Sequence, residues 1–260
     1  MRIPGEINLM KMIFMGRKKY AARMLEWSIS RGMDVVAVCT DTGMADNPVS
    51  ETADKFCIPV VTMEEAERIS VNMVVDVAVS YLYSQKIRKP LIENPIYGCI
   101  NFHPAILPDW RGTAGYNIAI LNKLPEWGAT AHYVNENIDT GDIIRIFRFA
   151  FDYRNETAVS LERKTQEIQM DLYKSVMTDV MQNGKLDSYP QNLNAGTYIS
   201  RAQMEEMKKI DLEKDDIDLK IRAFWFPPYD GAYTEINGKK YTLVNEEILV
   251  KLTESGEKGK

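Results

Sequence analysis

The sequence predicts an α/β protein whose mostly parallel sheet is flanked by helices and followed by a small C-terminal α+β module. Three observations predict it. Short runs rich in β-branched residues recur through the first half of the chain, segments of helical spacing separate them, and strand-like alternation follows Gly128. Alternating strands and helices are typical of βαβ units, which place ligands at the carboxyl ends of the strands.

The first βαβ unit is predicted at the start of the chain. Residues 11–15 (KMIFM) are typical of a buried strand, a helix is expected from about 20 to 31, and residues 34–40 (DVVAVCT) predict the next strand. Gly16 is followed by RKKYAA rather than by a GxGxxG motif, and no P-loop occurs in the sequence. Gly16 therefore indicates a tight turn and not a dinucleotide site.

Further strands are predicted at residues 58–62, 72–80 and 98–102. Residues 129–136 and 142–150 alternate polar and apolar side chains, which predicts a hairpin added to the sheet. From residue 157 to 182 the apolar spacing predicts a long helix.

The last part of the chain predicts a separate module. The polar residues 184–196 are typical of a linker, and a short helix, a proline-rich aromatic turn and a hairpin are expected beyond it. Asn237-Gly238 is the turn signal of that hairpin. We expect residues 1–184 to form the main core and residues 185–260 the C-terminal module.

Composition excludes several classes of protein. The 260 residues are 45% hydrophobic and 27% charged, with a net charge of −5, so the chain can bury a core without disulfides. Basic and acidic residues are interspersed, and we expect no nucleic acid as the main partner. Cys39, Cys57 and Cys99 show no CxxC spacing and stand beside apolar runs, which indicates buried free thiols.

The N-terminal apolar run is too short for a signal-peptide core, and no apolar stretch approaches the ~20 residues of a membrane-spanning helix. The expectation is a cytoplasmic protein that does not engage a membrane.

Both histidines of the chain lie close together in the sequence. The stretch NFHPAILPDWRG (residues 101–112) contains His103, and His132 follows it. Asn101 and His103 are two residues apart at a strand end, so their side chains share one face. An amide can donate to a developing oxyanion, and an imidazole can exchange protons near neutral pH. A structural polar pair is the simpler interpretation, but the stiff, proline-containing loop after it favours function.

A carboxylate is expected to complete this site. Asp139 precedes a Thr-Gly turn that can present it over the sheet, and Asp142 is a rival one turn away. Spacing alone does not choose between them. No serine or cysteine nucleophile stands beside Asn101, His103 and these carboxylates, which favours acyl transfer by direct attack of a substrate amine. The spacing of the histidines and Asp139 matches no zinc signature, so no metal is expected.

These residues resemble the signature of the folate-dependent formyltransferases, which act on methionyl-tRNA, glycinamide ribonucleotide or nucleotide-linked amino sugars. NFHPAILPDWRG followed by GATAHYVNENIDTGDII carries the resemblance. The resemblance extends to MIFMGRKKYAARMLEWSISRGMDVVAVCT near the start and to DLKIRAFWFPPYDGAY near the end.

The resemblance implies a Rossmann-like catalytic core and 10-formyltetrahydrofolate as the formyl donor. It implies that Asn101, His103 and Asp139 are catalytic, with His132 in support, and so selects Asp139 over Asp142. Asn101 and protonated His103 would stabilise the oxyanion, while Asp139 would keep His103 charged and help remove the amine proton, directly or through water. The implied donor-binding residues are Ser80, Tyr81, Leu82, Tyr83, Ile87 and Asp142.

The resemblance also narrows the acceptor. An acidic chain with a short C-terminal module fits tRNA poorly, and the glycinamide ribonucleotide enzymes lack such a module. We therefore expect a nucleotide-linked amino-deoxy sugar of surface-polysaccharide synthesis as substrate, and a homodimer as the assembly. The implied acceptor-binding residues are Arg111, Gly112, Thr113, Arg222, Trp225, Phe226 and Tyr229. In this interpretation aromatic rings stack on the nucleobase and arginines meet the diphosphate.

Three alternatives stay open at this point. One is an enzyme like methionyl-tRNA formyltransferase. Another is a non-catalytic module that binds folate or a nucleotide sugar, against which the intact Asn101, His103 and Asp139 set argues. The third is a hydrolase that releases formate from the donor. Gly115 and Tyr116 differ from the residues that the family resemblance implies at these loop positions. The difference bears on how the acceptor fits and not on the formyl-transfer chemistry.

Overall fold

The computed structural model describes residues 9–41, 47–113 and 115–250. The strands are β1 Lys11–Gly16, β2 Asp34–Cys39, β3 Val77–Tyr81, β4 Cys99–His103, β5 Trp110–Gly112, β6 Glu126–Tyr133, β7 Ile143–Ala150, β8 Thr197–Ile199, β9 Tyr233–Ile236 and β10 Lys239–Thr242. The helices are α1 Lys18–Ser30, α2 Pro48–Lys55, α3 Met63–Asn72, α4 Lys89–Glu93, α5 Tyr116–Leu121, α6 Ala158–Asn183, α7 Arg201–Met207 and α8 Ile217–Phe224. Residues 1–8, on which the signal-peptide expectation partly rests, lie outside the described ranges.

Six strands form the central sheet in the order β2-β1-β3-β4-β6-β7. The first four are parallel to one another, whereas β6 is antiparallel to β4 and β7 is antiparallel to β6. The predicted α/β class, with a mostly parallel sheet, is confirmed. The predicted hairpin after Gly128 is the β6–β7 pair.

Helices cover both faces of this sheet. α1 and α6 pack on one face, against side chains such as Phe14, Val79 and Phe102. α3 and α4 pack on the other face, against side chains such as Ile13 and Ala78. Because successive side chains of a strand point to opposite faces, the interiors of β1 and β2 are apolar on both sides, whereas β3 and β4 carry polar side chains toward their carboxyl ends.

The predicted strand at residues 58–62 is not formed. Val60 makes only a single bridge with Val38. Thr62 instead begins α3, where its side chain and that of Glu65 form a capping box. The capping signal at Thr62 therefore overrides the β-branched composition of the short run before it.

The predicted strand at residues 72–80 is shorter than expected, because α3 ends at Asn72, residues 73–76 form a loop and the strand begins only at Val77. The expectation of buried thiols holds for Cys39 and Cys99 but is wrong for Cys57, which is exposed. Cys57 lies in the turn after α2 and not in a strand, so it has no sheet face to pack on.

The C-terminal residues pack around α5 in a second apolar cluster, which also contains Trp127 of β6 and Leu161 of α6. The β9–β10 hairpin turns at Asn237–Gly238, as the sequence predicts, with positive φ at both residues. Residues 184–196, predicted as a linker, are tied to the core, since Tyr189 exchanges two backbone hydrogen bonds with Ile143. The division of the chain at residue 184 stays a prediction. In the described ranges, no helix combines the length and the apolar character needed to cross a bilayer.

Candidate active site

A row of polar side chains crosses three strands on one face of the sheet. Ser80 of β3 is the register partner of Asn101 on β4, and Asn101 is the register partner of His132 on β6. Tyr81 and Phe102 alternate to the opposite face, where their ring centroids lie 6.0 Å apart in the core. Strand pairing thus brings together polar residues that are distant in the sequence.

Hydrogen bonds fix the ring of His132 and the amide of Asn101. Nδ1 of His132 lies 2.8 Å from the carbonyl oxygen of Tyr133 and must donate to it, because a carbonyl only accepts. In the neutral imidazole, Nε2 is then an acceptor, and Nδ2 of Asn101 donates to it over 3.1 Å. This contact uses one of the two amide N–H groups of Asn101 and leaves the other for a ligand.

His103 stands between two acceptors. Its Nε2 donates to the carbonyl oxygen of Trp110 over 2.9 Å, and its Nδ1 lies 3.6 Å from Oδ2 of Asp139. The side chain is buried, with the residue 5% exposed. An acceptor at each ring nitrogen is the arrangement that a doubly protonated imidazole fits.

Asp139 is the centre of this cluster. Its Oδ2 accepts the backbone N–H of Gly112 at 2.9 Å, and its Oδ1 lies 3.6 Å from Nε2 of His132. Burial by itself would raise the pKa of Asp139, but the charge of His103 and the Gly112 N–H outweigh it and hold the pKa of this carboxyl below its usual range. The group is therefore a carboxylate at neutral pH.

The turn that presents Asp139 depends on Gly141. A Cβ at this position would overlap the carbonyl oxygen of Tyr133, so no other residue fits without a shift of backbone. Asp139 itself adopts a positive φ of 55°. The glycine two residues after Asp139, noted in the sequence, thus allows this turn to lie close to the end of β6.

A cavity of about 170 Å³ opens beside the polar row. The residues that line it are Ser80, Tyr83, Ser84, Gln85, Lys86, Ile87, Asn101, His132, Val134, Asn135, Asn137, Ile138 and Asp139. His103 lies behind Asp139 and is not part of the lining. Among the described residues, no group of three or more His, Cys, Asp or Glu side chains is arranged to hold a metal ion.

Comparison with known proteins identifies the family. Residues 10–177 match the formyl transferase family. The chain belongs to this family. A methionyl-tRNA formyltransferase from Parvibaculum lavamentivorans is 30% identical over 267 residues, which cover 96% of this chain and 84% of the relative. The resemblance found in the sequence is confirmed, and this formyltransferase is a transferase of formyl groups.

Solved structures of sugar-modifying enzymes share the fold. The N-formyltransferase from Helicobacter canadensis, in complex with folinic acid and dTDP-3-aminofucose, has a TM-score of 0.74 and 26% identity, and the match covers 92% of this chain and 89% of that one. A 4-N formyltransferase from Francisella tularensis has a TM-score of 0.75 and 26% identity, over 92% of this chain and 98% of that one.

Half of the residues expected to bind the donor line the cavity. Ser80, Tyr83 and Ile87 do so, whereas Tyr81, Leu82 and Asp142 do not. The side chain of Tyr81 is fully buried on the opposite face of β3. The carbonyl of Leu82 accepts a hydrogen bond from Nε of Arg17 at 2.6 Å. Asp142 is exposed and does not line the cavity. Strand alternation explains the first of these differences.

The residues expected to bind the acceptor around β5 are engaged by the C-terminal part of the formyltransferase. The backbone N–H of Gly112 donates to the carboxylate of Asp139, and the backbone N–H of Thr113 donates to the carbonyl of Ile199 at 2.8 Å. Nη2 of Arg111 donates to the carbonyls of Leu193 and Ala195 at 3.4 and 3.3 Å. The Nε of Arg111 is buried without a partner among the described residues.

Arg222 was expected to meet a diphosphate, and the geometry does not support this. The residue is buried, and its Nε donates to Asp218 at 2.7 Å. Its Nη1 donates to the backbone carbonyls of Tyr153 and Glu156 at 2.5 and 3.0 Å. The guanidinium therefore joins α8 to the turn before α6 and is not available to a ligand in this arrangement.

The aromatic residues near the C-terminus divide into two groups. Trp225 is half-buried against the apolar cluster around α5. Phe226 instead stacks between Tyr116 and Tyr229, with centroid distances of 6.2 and 5.8 Å and interplanar angles of 10° and 28°. Tyr229 is 57% exposed, and the ammonium of Lys18 lies 5.4 Å from the centroid of Phe226. We call Tyr116, Phe226 and Tyr229 the aromatic stack.

Several residues of the site were missed from the sequence. The polar residues that follow β6, Asn135 and Asn137, line the cavity, and their position directly after a strand was a signal that could have found them. Gln191 touches the Asp139 turn with its side chain. It stands in a polar segment without periodicity, so no sequence signal marked it.

Proposed function

We propose that this formyltransferase moves the formyl group of 10-formyltetrahydrofolate to the amine of a nucleotide-linked amino-deoxy sugar. The observation that carries the formyl-transfer chemistry is the convergence of Asn101, His132 and Asp139 on one cavity, with His103 behind the carboxylate. The site offers a donor for an oxyanion and a base for a proton, which are the two functions that amine formylation requires.

The cavity is the proposed place of the formyl-bearing end of the folate. Its volume of about 170 Å³ is less than the ~300 Å³ of a pocket that encloses a whole drug-sized ligand. The rest of the molecule would extend past Lys86, which lines the cavity and would offer its ammonium to the carboxylates of the folate tail. The complex of the Helicobacter canadensis enzyme with folinic acid supports a folate as the formyl donor.

In the proposed reaction the neutral amine attacks the formyl carbon and forms a C–N bond. The oxyanion accepts the free N–H of Asn101, and a donor of this kind contributes ~3 kcal/mol to the barrier reduction. Asp139 takes the amine proton, directly or through water, and passes it on to N10 of the folate as the bond from the formyl carbon to N10 breaks, so that Asp139 ends as a carboxylate again. His103 stays protonated beside Asp139.

The proposed mechanism requires the ring of His103 to change one hydrogen-bond partner. Both nitrogens of His103 are now engaged, Nε2 by the carbonyl of Trp110 and Nδ1 by Asp139. For His103 to stabilise the oxyanion, its ring must exchange the Trp110 carbonyl for the formyl oxygen when the donor binds. Asn101 needs no such movement, because its second N–H is free of side-chain partners among the described residues.

The aromatic stack supports a nucleotide-linked acceptor. Stacking of a base on an aromatic side chain contributes about 1–3 kcal/mol and needs an exposed ring, and Tyr229 offers one. The net charge of −5 disfavours electrostatic binding of tRNA. Homodimer formation and a place in surface-polysaccharide synthesis are part of the proposal.

Methionyl-tRNA is the second candidate acceptor, because the relative from Parvibaculum lavamentivorans is a methionyl-tRNA formyltransferase at 30% identity. A transfer assay separates the two. The enzyme is incubated with 10-formyltetrahydrofolate and, in separate reactions, dTDP-3-aminofucose, dTDP- and UDP-linked 4-amino-deoxy sugars, and initiator methionyl-tRNA. Mass spectrometry then looks for the gain of one formyl group.

We expect at least one sugar nucleotide to be formylated and the tRNA to stay unmodified. Formylation of the tRNA alone would overturn the sugar assignment and keep the formyl-transfer chemistry. Formate release at equal rates with and without any amine would identify a hydrolase instead.

A further inference from the structure

We propose that Gln191 is a positioning residue, which holds the Asp139 turn so that the carboxylate stays between His103 and His132. Gln191 lies in the segment between α6 and β8 and does not line the donor cavity. The inference rests on the proposed catalytic role of Asp139.

The side chain of Gln191 binds the backbone on both sides of the turn. Its Nε2 donates to the carbonyl of Asp139 at 3.1 Å and to the carbonyl of Gly141 at 2.6 Å. The reverse orientation of the amide would place Oε1 against two carbonyl oxygens, so these contacts fix the orientation. Oε1 is buried without a partner among the described residues, and the two donated bonds therefore determine where the amide lies.

The turn needs such a support. Asp139 has a φ of +55°, in the left-handed region that residues with a Cβ rarely adopt. Its carboxylate oxygens lie 3.6 Å from a nitrogen of each histidine, and the Gly112 N–H is the one hydrogen-bond donor within 3 Å of the carboxylate among the described residues. A small rotation of the turn would lengthen both contacts with the histidines at once.

Gln191 is itself held in place. Two residues before it, Tyr189 donates its N–H to the carbonyl of Ile143 at 3.0 Å and accepts the N–H of Ile143 at 2.8 Å. Ile143 is the first residue of β7. The segment is thus fixed to the central sheet immediately beside the turn that Gln191 supports.

The test uses the two imidazoles as reporters, since His103 and His132 are the only histidines of the chain. In protein labelled with ¹⁵N at histidine, two-dimensional NMR reads the chemical shifts of both ring nitrogens of each residue. Gln191→Met keeps the size of the side chain and removes the donor, and Gln191→Glu places an acceptor against the two carbonyls. Asn192→Ala is the matched control, because it removes a contact with Asn194 in the same segment and does not touch the turn.

We expect both Gln191 variants to shift the Nδ1 signal of His103 and the Nε2 signal of His132 in the direction seen in Asp139→Asn. Asn192→Ala should leave both signals in their wild-type positions. Wild-type histidine signals in both folded Gln191 variants, or equal shifts in Asn192→Ala, would overturn the inference. If Gln191→Met does not fold, Gln191→Glu decides by the same criterion, and loss of folding in both would assign Gln191 a structural role instead.

Kinetics distinguish this inference from the proposed function. With the acceptor found in the transfer assay, Gln191→Met should lower kcat by a factor on the order of ten to a hundred, as expected for a displaced catalytic group, with little change in the KM of the donor. An active Asp139→Asn variant would refute the catalytic role of the carboxylate. An inactive Asp139→Asn beside a fully active Gln191→Met would refute the positioning role alone.

Discussion

Gly112 donates its backbone N–H to Oδ2 of Asp139 over 2.9 Å, and this bond joins the end of β5 to the carboxylate of the candidate active site. Gly112 has a φ of +78°, and a Cβ there would lie 2.6 Å from the ring of Tyr198 and 2.7 Å from the carbonyl oxygen of Ile199. The position therefore requires glycine for both conformation and space.

Gly112→Ala should lower kcat and reduce stability, because the new methyl group forces β5 away from β8 and withdraws the N–H from Asp139. The left-handed conformation alone costs a residue with a Cβ about 1–2 kcal/mol. Gly238→Ala is the matched control, since Gly238 has a φ of +74° and nothing within 4 Å of its Cβ position. Thermal unfolding and steady-state rates of both variants measure the difference. Equal losses of activity in the two variants would show that the Gly112 contact does not matter for the site.

Asp139→Asn should abolish most formyl transfer, because general acid–base catalysis contributes on the order of 10²–10⁴ in rate and the amide cannot take the proton. The donor should still bind, since Asn keeps the volume of the side chain. Thermal shift with folinic acid measures binding, and the transfer assay measures turnover. Loss of folinic acid binding together with activity would indicate a collapsed site and not a lost base.

The pKa of Asp139 also predicts how stability depends on pH. The pKa is lower in the folded protein than the ~3.9 of an unfolded chain, so the stabilisation from the carboxylate is fully present above about pH 5 and is lost progressively as the pH falls from there through the folded-state value. The wild type should therefore lose stability relative to Asp139→Asn between about pH 5 and pH 3. Urea unfolding of both proteins across this range measures it, and a constant difference would contradict the prediction.

Asn101→Ala should lower kcat by about 10²–10³, the usual effect of removing one oxyanion donor. The KM of the donor should change less, because the interaction forms mainly in the transition state. Steady-state kinetics at saturating acceptor give both constants. A rise in the KM of the donor at unchanged kcat would make Asn101 a binding residue only.

Tyr229→Ala should raise the KM of a nucleotide-linked sugar by roughly 10–100-fold, since base stacking contributes about 1–3 kcal/mol. The KM of the folate donor should not change. Tyr241→Ala is the control, because Tyr241 is also an exposed aromatic residue of the C-terminal part and lies outside the aromatic stack. Similar effects of both variants, or none with Tyr229→Ala, would remove the stack from the acceptor site.

Local patterns predicted most of the fold. The strands at β1, β2 and β4 and the helices α1 and α6 appear within a few residues of their expected bounds, because apolar periodicity reflects which faces are buried. The failures have local physical causes. At residues 58–62 a helix cap at Thr62 overrides β-branched composition, and at residues 72–80 a loop after α3 delays the strand until Val77.

The sequence by itself determined the α/β class, the formyltransferase family and the shared face of Asn101 and His103, since these depend on short-range order along the chain. Only the tertiary structure decided that Asn101 pairs with His132, that Gly112 and Gln191 hold the Asp139 turn, that Tyr81 is buried in the core and that Arg222 is bound to Asp218. Such contacts join residues far apart in the chain and depend on strand register and loop packing. A single sequence records neither of these directly.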